Sequence, residues 1–216
     1  MKPVVVFLHG LARTHRSLSP LRKRIEAAGY PTWARSYPSR RMPVAELAET
    51  VAGWVRSDLG EAPVFGVTHS LGGILARHIG DQLRWRGLVM LAPPNRGSRV
   101  AKAMRFHPLY RWFYGPAGQE LADFRGWPAP PQPFAVIAGT AGATLGNPPS
   151  WAVRTLKILP PETAHDGTVA VDETRLPGMV GYAEVPASHT FIMSHPRTIE
   201  LVLQFLDTQR FEGEQG

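Results

Sequence analysis

One serine lies where an apolar strand would turn directly into a helix. Residues 63–73 read Pro-Val-Phe-Gly-Val-Thr-His-Ser-Leu-Gly-Gly, so Ser70 follows an apolar run and precedes two glycines. Such a strand–turn–helix holds a serine hydroxyl in a strained, accessible turn, where it can attack a carbonyl carbon. The common G-x-S-x-G pattern is altered, since Thr68 stands in place of the first glycine. We predict that Ser70 is the nucleophile of an acyl-transfer reaction; the alternative is a serine that only caps the helix.

A serine nucleophile needs a base, and an imidazole is suited to that role near neutral pH. His189 follows an apolar segment at 180–186 and precedes the last helical pattern, so its loop can reach back to the serine. His195 precedes Pro196 and is expected to cap that helix instead. His69 is adjacent to Ser70 and is expected to point away from it, because neighbouring residues in such a turn diverge. We therefore predict His189 as the base.

The base in turn needs a carboxylate that fixes its tautomer and stabilises its charged form. Asp166 lies in His-Asp-Gly-Thr-Val at 165–169, after the serine and before the histidine. Asp-Gly is also a frequent turn dipeptide. We predict Asp166 as the acid, and the alternatives in the same region are Asp172, Glu173 and Glu162.

A first apolar strand runs into His-Gly-Leu at 9–11, which is typical of a turn that binds a developing oxyanion. The backbone N–H groups of Leu11 and Leu71 are the predicted donors, and one such donor typically lowers a barrier by about 2.7–4 kcal/mol. His9 is expected to be a structural or pocket-wall residue and not a catalyst. The residues predicted to contact the substrate are His9, Gly10 and His69.

The elements that position these residues alternate between short apolar runs and helical patterns, which predicts an α/β fold with a mainly parallel sheet. We expect a single domain over 1–216 with about six strands flanked by helices. Helices are predicted after Pro43 and from Pro196, each with an apolar stripe at helical spacing, and at 18–28, where Gly29 ends the helix. The predicted strands are 3–8, 31–36, 63–68, 86–92, 133–139 and 180–186.

A long stretch at 98–132 separates two strands and carries 7 of the 20 aromatic residues. Long connections in compact domains are usually functional or disordered, and this aromatic content argues against disorder. We predict a lid or acyl-pocket wall, and an aromatic piece of ordinary core is the alternative. Basic residues alternate with apolar ones, which favours a surface helix that could transiently contact anionic lipid: Arg99, Lys102, Arg105 and Arg111. A second long connection is predicted at 141–165.

Composition and charge exclude several kinds of site and partner. Absence of cysteine removes disulfides, thiolate zinc sites and cysteine nucleophiles. Residues 1–130 carry a net charge of +11 and residues 131–216 one of −4. A basic half can attract nucleic acid, but no helix-turn-helix, zinc-finger or RNP signature is present, so we expect no nucleic-acid partner. No signal peptide is visible at the start, which predicts a cytoplasmic protein and leaves a trimmed secretory precursor open.

With these motifs in the order Ser70, Asp166, His189, the chain resembles the α/β-hydrolase fold, in particular its small bacterial esterases and lipases. The resemblance covers residues 4–206 and equates the six strands with the third to eighth of the family sheet. It implies a serine carboxylic-ester hydrolase that forms an acyl-enzyme on a small ester or lipid, without metal or cofactor. An acyltransferase, thioesterase or peptidase with the same triad, and a non-catalytic binding protein of the same fold, remain alternatives.

Overall fold

The strands of the sheet are β1 Val4–Leu8, β2 Thr32–Ala34, β3 Val64–His69, β4 Trp85–Leu91, β5 Phe134–Gly139 and β6 Met179–Val185. They come from a computed structural model that describes residues 2–142, 158–159 and 162–211. The order is β2-β1-β3-β4-β5-β6, and each neighbouring pair is parallel. The predicted α/β class with a parallel six-stranded sheet is confirmed.

Helices cover both faces of the sheet. The predicted helix after Pro43 runs over sixteen residues, and the helix predicted at 18–28 ends where Gly29 adopts a φ of +84°. A left-handed residue of this kind stops a helix without steric cost when it is glycine. The helices are α1 Ser19–Ala27, α2 Val44–Leu59, α3 Leu71–Ile79, α4 Arg99–Met104, α5 Pro108–Glu120, α6 Val171–Thr174 and α7 Pro196–Thr208.

Because helices cover both faces of the sheet, β1 is a continuous run of apolar residues. Val5 and Phe7 belong to the core layer under α1 and α7, whereas Val6 and Leu8 belong to the layer under α2 and α3. All four side chains are fully buried. A strand buried on both faces has no position for a polar residue, so its sequence loses the alternation of a half-exposed strand.

The strand order reverses direction at β1. The chain first moves outward from β1 to β2 and then returns to β3 on the other side of β1. Leu8 is paired with Thr68, so the carboxyl ends of β1 and β3 lie side by side. In open α/β sheets this reversal leaves a crevice at the strand ends, where ligands bind.

The stretch 98–132 forms an insertion between β4 and β5 that contains α4 and α5. Helix α5 is kinked at Gly115, whose φ of +63° and ψ of −161° are non-helical. A Cβ at this position would lie 1.8 Å from the carbonyl oxygen of Arg40. The insertion is therefore held against the loop that precedes α2. The connection predicted at 141–165 lies mostly outside the described residues.

One side of the insertion belongs to the core, where Ala117 and Leu121 are buried. The other side is exposed: Trp112 is 77 % exposed, Phe106 is 75 % exposed, and three further large apolar side chains are exposed as well. These five residues form the exposed patch of the insertion: Phe106, Leu109, Trp112, Phe113 and Phe124.

Replacing Gly115 should weaken the protein. Gly115→Ala imposes a left-handed backbone on a residue with a Cβ and a clash with Arg40, so we expect the free energy of unfolding to fall by about 1–3 kcal/mol. Gly53→Ala is the matched control, because Gly53 is inside α2 with open space around it. That change should raise stability by roughly 0.5–1 kcal/mol. Urea unfolding measures both, and equal effects would contradict the close packing at Gly115.

Candidate active site

Ser70 lies between β3 and α3 in a strained turn. Its φ is +53° and its ψ is −121°, a combination that a residue with a side chain adopts only when the surrounding structure enforces it. The amide of Ser70 donates a hydrogen bond of 2.9 Å to the carbonyl of Leu91 at the end of β4. This bond fixes the turn to the sheet. The residue is 7 % exposed and lines the cavity described below.

The two glycines after the serine make the turn possible. A Cβ on Gly72 would lie 2.2 Å from the carbonyl oxygen of Leu8, so only glycine lets α3 start this close to β1. A Cβ on Gly73 would come within 3.4 Å of the Thr68 hydroxyl and 2.8 Å of a Met90 methyl. The threonine that replaces the first glycine of the common motif is fully buried beside this gap. Gly73 thus supplies space that a larger residue at 68 needs.

The turn after β1 packs directly on the serine. A Cβ on Gly10 would lie 3.3 Å from the Cβ of Ser70 and 2.9 Å from Nδ1 of His69. Leu71 is the first residue of α3, so its amide has no carbonyl one turn earlier to bond. The amide of Leu11 donates to no group among the described residues. Both predicted oxyanion donors therefore belong to turns that meet at Ser70, and neither amide has a hydrogen-bond partner within that part of the chain.

His9 lies behind this turn and not on the cavity wall. Its ring is fully buried, stacks on Tyr37 at 3.8 Å between centroids, and accepts a 3.1 Å hydrogen bond from the Tyr37 amide at Nε2. Its Nδ1 lies 2.9 Å from the Gly10 carbonyl oxygen. Burial lowers the pKa of His9 to about 4, so the ring is neutral near pH 7. Of the three predicted substrate contacts, Gly10 and His69 line the cavity, and His9 instead fixes the turn from behind.

Asp166 is distant from β5 in sequence but not in space. A Cβ on Gly139, the last residue of β5, would lie 2.8 Å from the Cβ of Asp166 and 2.5 Å from the carbonyl oxygen of Ala187. The loops that follow β5 and β6 therefore meet over a glycine. This contact brings the predicted acid to the loop that carries His189.

The carboxylate of Asp166 is held on both oxygens. Oδ1 accepts hydrogen bonds of 2.9 and 2.8 Å from the amides of Thr168 and Val169. Oδ2 accepts a 2.6 Å hydrogen bond from Nδ1 of His189, and the His189 amide donates to the Asp166 carbonyl at 2.9 Å. Both side chains are buried. With Nδ1 committed as a donor, Nε2 of His189 is the nitrogen left to accept a proton.

The alternative acids are engaged elsewhere. Asp172 is exposed and forms an ion pair with Arg99, whereas the buried carboxylate of Glu173 accepts hydrogen bonds from the amides of Ala170 and Arg99. Glu162 is exposed. The alternative base His195 caps α7, since its Nδ1 accepts a 3.3 Å hydrogen bond from the amide of Arg197.

His69 does not point away from the site, contrary to the sequence-based expectation. Its ring packs on that of His189 at 4.7 Å between centroids, and its Nε2–H donates a 2.9 Å hydrogen bond to the His189 carbonyl. Burial, followed by the nearby charges of His189 and Arg13, holds the pKa of His69 well below its usual value. The ring is neutral, and its Nε2 is already used. His69 therefore supports the loop of the predicted base, because the turn lies under that loop.

A cavity of about 710 Å³ opens at Ser70 and His189. Side chains of the insertion form its apolar wall, among them Val100, Met104 and Leu109. Among the described residues, the Ser70 hydroxyl makes no hydrogen bond to His189, and such contacts often close only when substrate is bound.

The cavity also contains residues that the sequence did not single out. Arg13 lines it from the turn after Gly10, and Thr190 lines it next to His189. Both residues are close in sequence to predicted site residues, and this proximity could have indicated them. Within the described ranges there is no cluster of side chains able to hold a metal ion, and no helix there is long and apolar enough to cross a membrane.

Comparison with solved structures identifies the fold. The mature form of the Bacillus licheniformis lipase BlEst2 superposes with a TM-score of 0.75 at 18 % identity, covering 95 % of this chain and 92 % of that one. The metagenomic carboxyl esterase MGS0156 gives a TM-score of 0.71 at 18 % identity over 96 % of this chain and 76 % of that one. The chain has the α/β-hydrolase fold.

A third α/β-hydrolase neighbour, a pyrethroid hydrolase from Sphingobium faniae JZ-2, has a TM-score of 0.56 at 18 % identity and covers 96 % of this chain and 98 % of that one. Comparison by sequence found no matching family model and no matching curated protein. At these identities the likeness concerns the fold, and the chemistry of this chain depends on its own residues.

The two aspartates near the base should differ sharply when changed. Asp166→Asn keeps the size of the side chain but favours the wrong imidazole tautomer, so kcat should fall by roughly 10³–10⁴-fold. Asp172→Asn is the matched control and should retain near-normal activity, because Asp172 lies on the surface with Arg99. Steady-state ester hydrolysis measures both, and a larger loss in Asp172→Asn would move the acid to that residue.

Proposed function

We propose that this protein is a serine carboxylic-ester hydrolase of the esterase and lipase type. Ser70 is the nucleophile, His189 the general base and Asp166 the carboxylate that orients the base. The observation that carries the proposal is the buried 2.6 Å bond between Asp166 and His189, opening on the same cavity as a strained Ser70. Neighbours of the same fold described as lipases and esterases support the reaction class.

The reaction follows from these positions. Nε2 of His189 takes the Ser70 proton as Oγ bonds to the carbonyl carbon, and the amides of Leu11 and Leu71 bind the negative oxygen. The ester C–O bond then breaks, and the imidazolium returns its proton to the leaving alkoxide. Water repeats the sequence on the acyl-enzyme: its proton goes to Nε2, its oxygen bonds to the acyl carbon, and Ser70 leaves protonated.

The lining of the cavity supports an apolar acyl group. The insertion contributes mainly aliphatic and aromatic side chains to the wall, and a cleft of this size and composition is suited to a small ester or a single acyl chain. The cavity-facing residues of the insertion include Val100, Ala101, Met104, Leu109 and Leu121. An apolar wall stabilises the acyl chain by removing it from water.

Removing the nucleophile tests the proposal. Ser70→Ala should lower kcat for nitrophenyl esters at least about 10⁵-fold, because the acyl-enzyme can no longer form. Ser36→Ala is the control, since that exposed serine bonds His15 and is not among the residues that line the cavity. A series from acetyl to palmitoyl esters gives the preferred acyl length, and an added alcohol acceptor separates hydrolysis from acyl transfer. Equal loss in both variants, or no serine-dependent turnover by the wild type, would refute an esterase.

We also propose that the exposed patch of the insertion contacts a lipid surface. Its aromatic side chains lie next to cations: the guanidinium of Arg40 is 4.4 Å from the ring of Phe113, and that of Arg105 is 4.6 Å from Phe106. Aromatic and aliphatic groups enter the interface of a bilayer, and neighbouring cations favour anionic headgroups. The same insertion lines the cavity on its inner side, so a lipid substrate would have a short path to Ser70.

Vesicle binding tests this contact. Trp112→Ser should weaken binding to vesicles containing phosphatidylglycerol by about tenfold, because a large exposed ring no longer enters the interface. Val180→Ser, on the edge strand β6, is the control and should bind as the wild type does. Co-sedimentation with vesicles of phosphatidylglycerol and of phosphatidylcholine measures both affinities. Unchanged binding by Trp112→Ser, or none by the wild type, would exclude this surface.

A further inference from the structure

Arg13 places a cation in the wall of the catalytic cavity. It follows Gly10 by three residues, and its amide donates a 3.3 Å hydrogen bond to the Gly10 carbonyl, so it belongs to the predicted oxyanion turn. Its Nη2 donates a 2.8 Å hydrogen bond to the hydroxyl of Thr190, the residue after His189. The guanidinium therefore lies between the oxyanion turn and the loop of the base.

This cation has no acidic partner in the described part of the chain. No carboxylate there lies within 4.0 Å of it, and Asp166 is bonded to His189 and two amides. Around Arg13 lie the rings of Tyr114 and His69 instead.

Arg77 is a structural arginine of the same protein and serves as a comparison for Arg13. Its guanidinium donates to three backbone carbonyls, at 2.6 Å to Pro128, 2.9 Å to Asn95 and 3.3 Å to Trp127. Among the described residues the guanidinium of Arg13 makes one hydrogen bond, to the Thr190 hydroxyl, although burial is enough to lower its pKa. An arginine stays charged at neutral pH and offers five donors. Most donors of Arg13 thus remain for a group that enters the cavity.

We propose that Arg13 binds an anionic group of the ester substrate, a carboxylate or a phosphate, next to the reacting carbonyl. Guanidinium groups pair with both anions through two parallel hydrogen bonds. The location between the oxyanion turn and Thr190 puts that anion within a few bonds of the ester, while the apolar wall holds the uncharged part. The inference rests on the proposed esterase function and deepens it by naming the substrate class.

The test compares matched neutral and anionic esters. One pair is nitrophenyl hexanoate against the mono-nitrophenyl ester of adipic acid, which adds a carboxylate to the acyl side. The other is hexanoyl glycerol against hexanoyl glycerol phosphate, which adds a phosphate to the alcohol side. The wild type should prefer the anionic member of at least one pair, and the affected pair tells which side of the ester carries the anion.

The discriminating quantity is kcat/KM for the anionic ester divided by kcat/KM for the neutral ester. Arg13→Gln should lower this ratio by roughly 10- to 100-fold, the effect expected when a charged hydrogen bond is lost. Arg13→Lys keeps the charge and should retain part of that ratio. Raising ionic strength should lower the ratio in the wild type and not in Arg13→Gln. Arg16→Gln, an exposed arginine of the same segment, is the control and should leave the ratio unchanged.

The outcomes distinguish a failure of the Arg13 inference from a failure of the esterase proposal. If Arg13→Gln lowers kcat/KM equally for neutral and anionic esters, Arg13 only holds the loops or assists the oxyanion, and the inference is wrong. The same conclusion follows if the wild type prefers neutral esters in both pairs. If the wild type hydrolyses no ester at all, the esterase proposal falls and this inference falls with it.

Discussion

The site depends on the close approach of two parallel strand ends. Leu8 at the end of β1 is paired with Thr68 near the end of β3, and α3 starts so close to β1 that only a glycine fits at position 72. This contact brings the Gly10 turn against Ser70. The turn that carries Leu11 therefore lies against the turn that carries Ser70 and Leu71. In the proposed reaction the amides of both turns bind the oxyanion, and donors that packing holds in place need no rearrangement.

The loops after β5 and β6 complete the arrangement on the other side. Their meeting over Gly139 lets the carboxylate of Asp166 satisfy both oxygens inside the protein, with two amides on one and His189 on the other. A buried carboxylate without such partners would cost several kcal/mol. The ring of His69 then supports the His189 loop from below. The position of His189 is thus fixed by contacts to its backbone as well as by the bond of its ring to Asp166.

The insertion joins the cavity to the surface of the molecule. Its inner side chains line the cavity, whereas Trp112 and Phe106 face solvent. It is anchored at the loop before α2 by the tight contact of Gly115 with Arg40 and by the Glu120 carboxylate, which accepts a 3.1 Å hydrogen bond from the first amide of α2. Arg13 brings a charge to the same cavity. Among the described residues the cavity thus combines an apolar wall with one arginine, and the proposed substrate is correspondingly an ester with an apolar and an anionic part.

The sequence by itself determined the six strands, the mainly parallel α/β class and the motif at Ser70, because burial on both faces and tight turns leave strong local patterns. It also singled out Asp166 and His189, through their order along the chain. Only the tertiary structure decided that the ring of His69 lies under the base, that His9 is behind the turn, and that Arg13 enters the cavity. Those outcomes depend on contacts between residues far apart in sequence, and the direction of a side chain across such a contact leaves no local pattern to read.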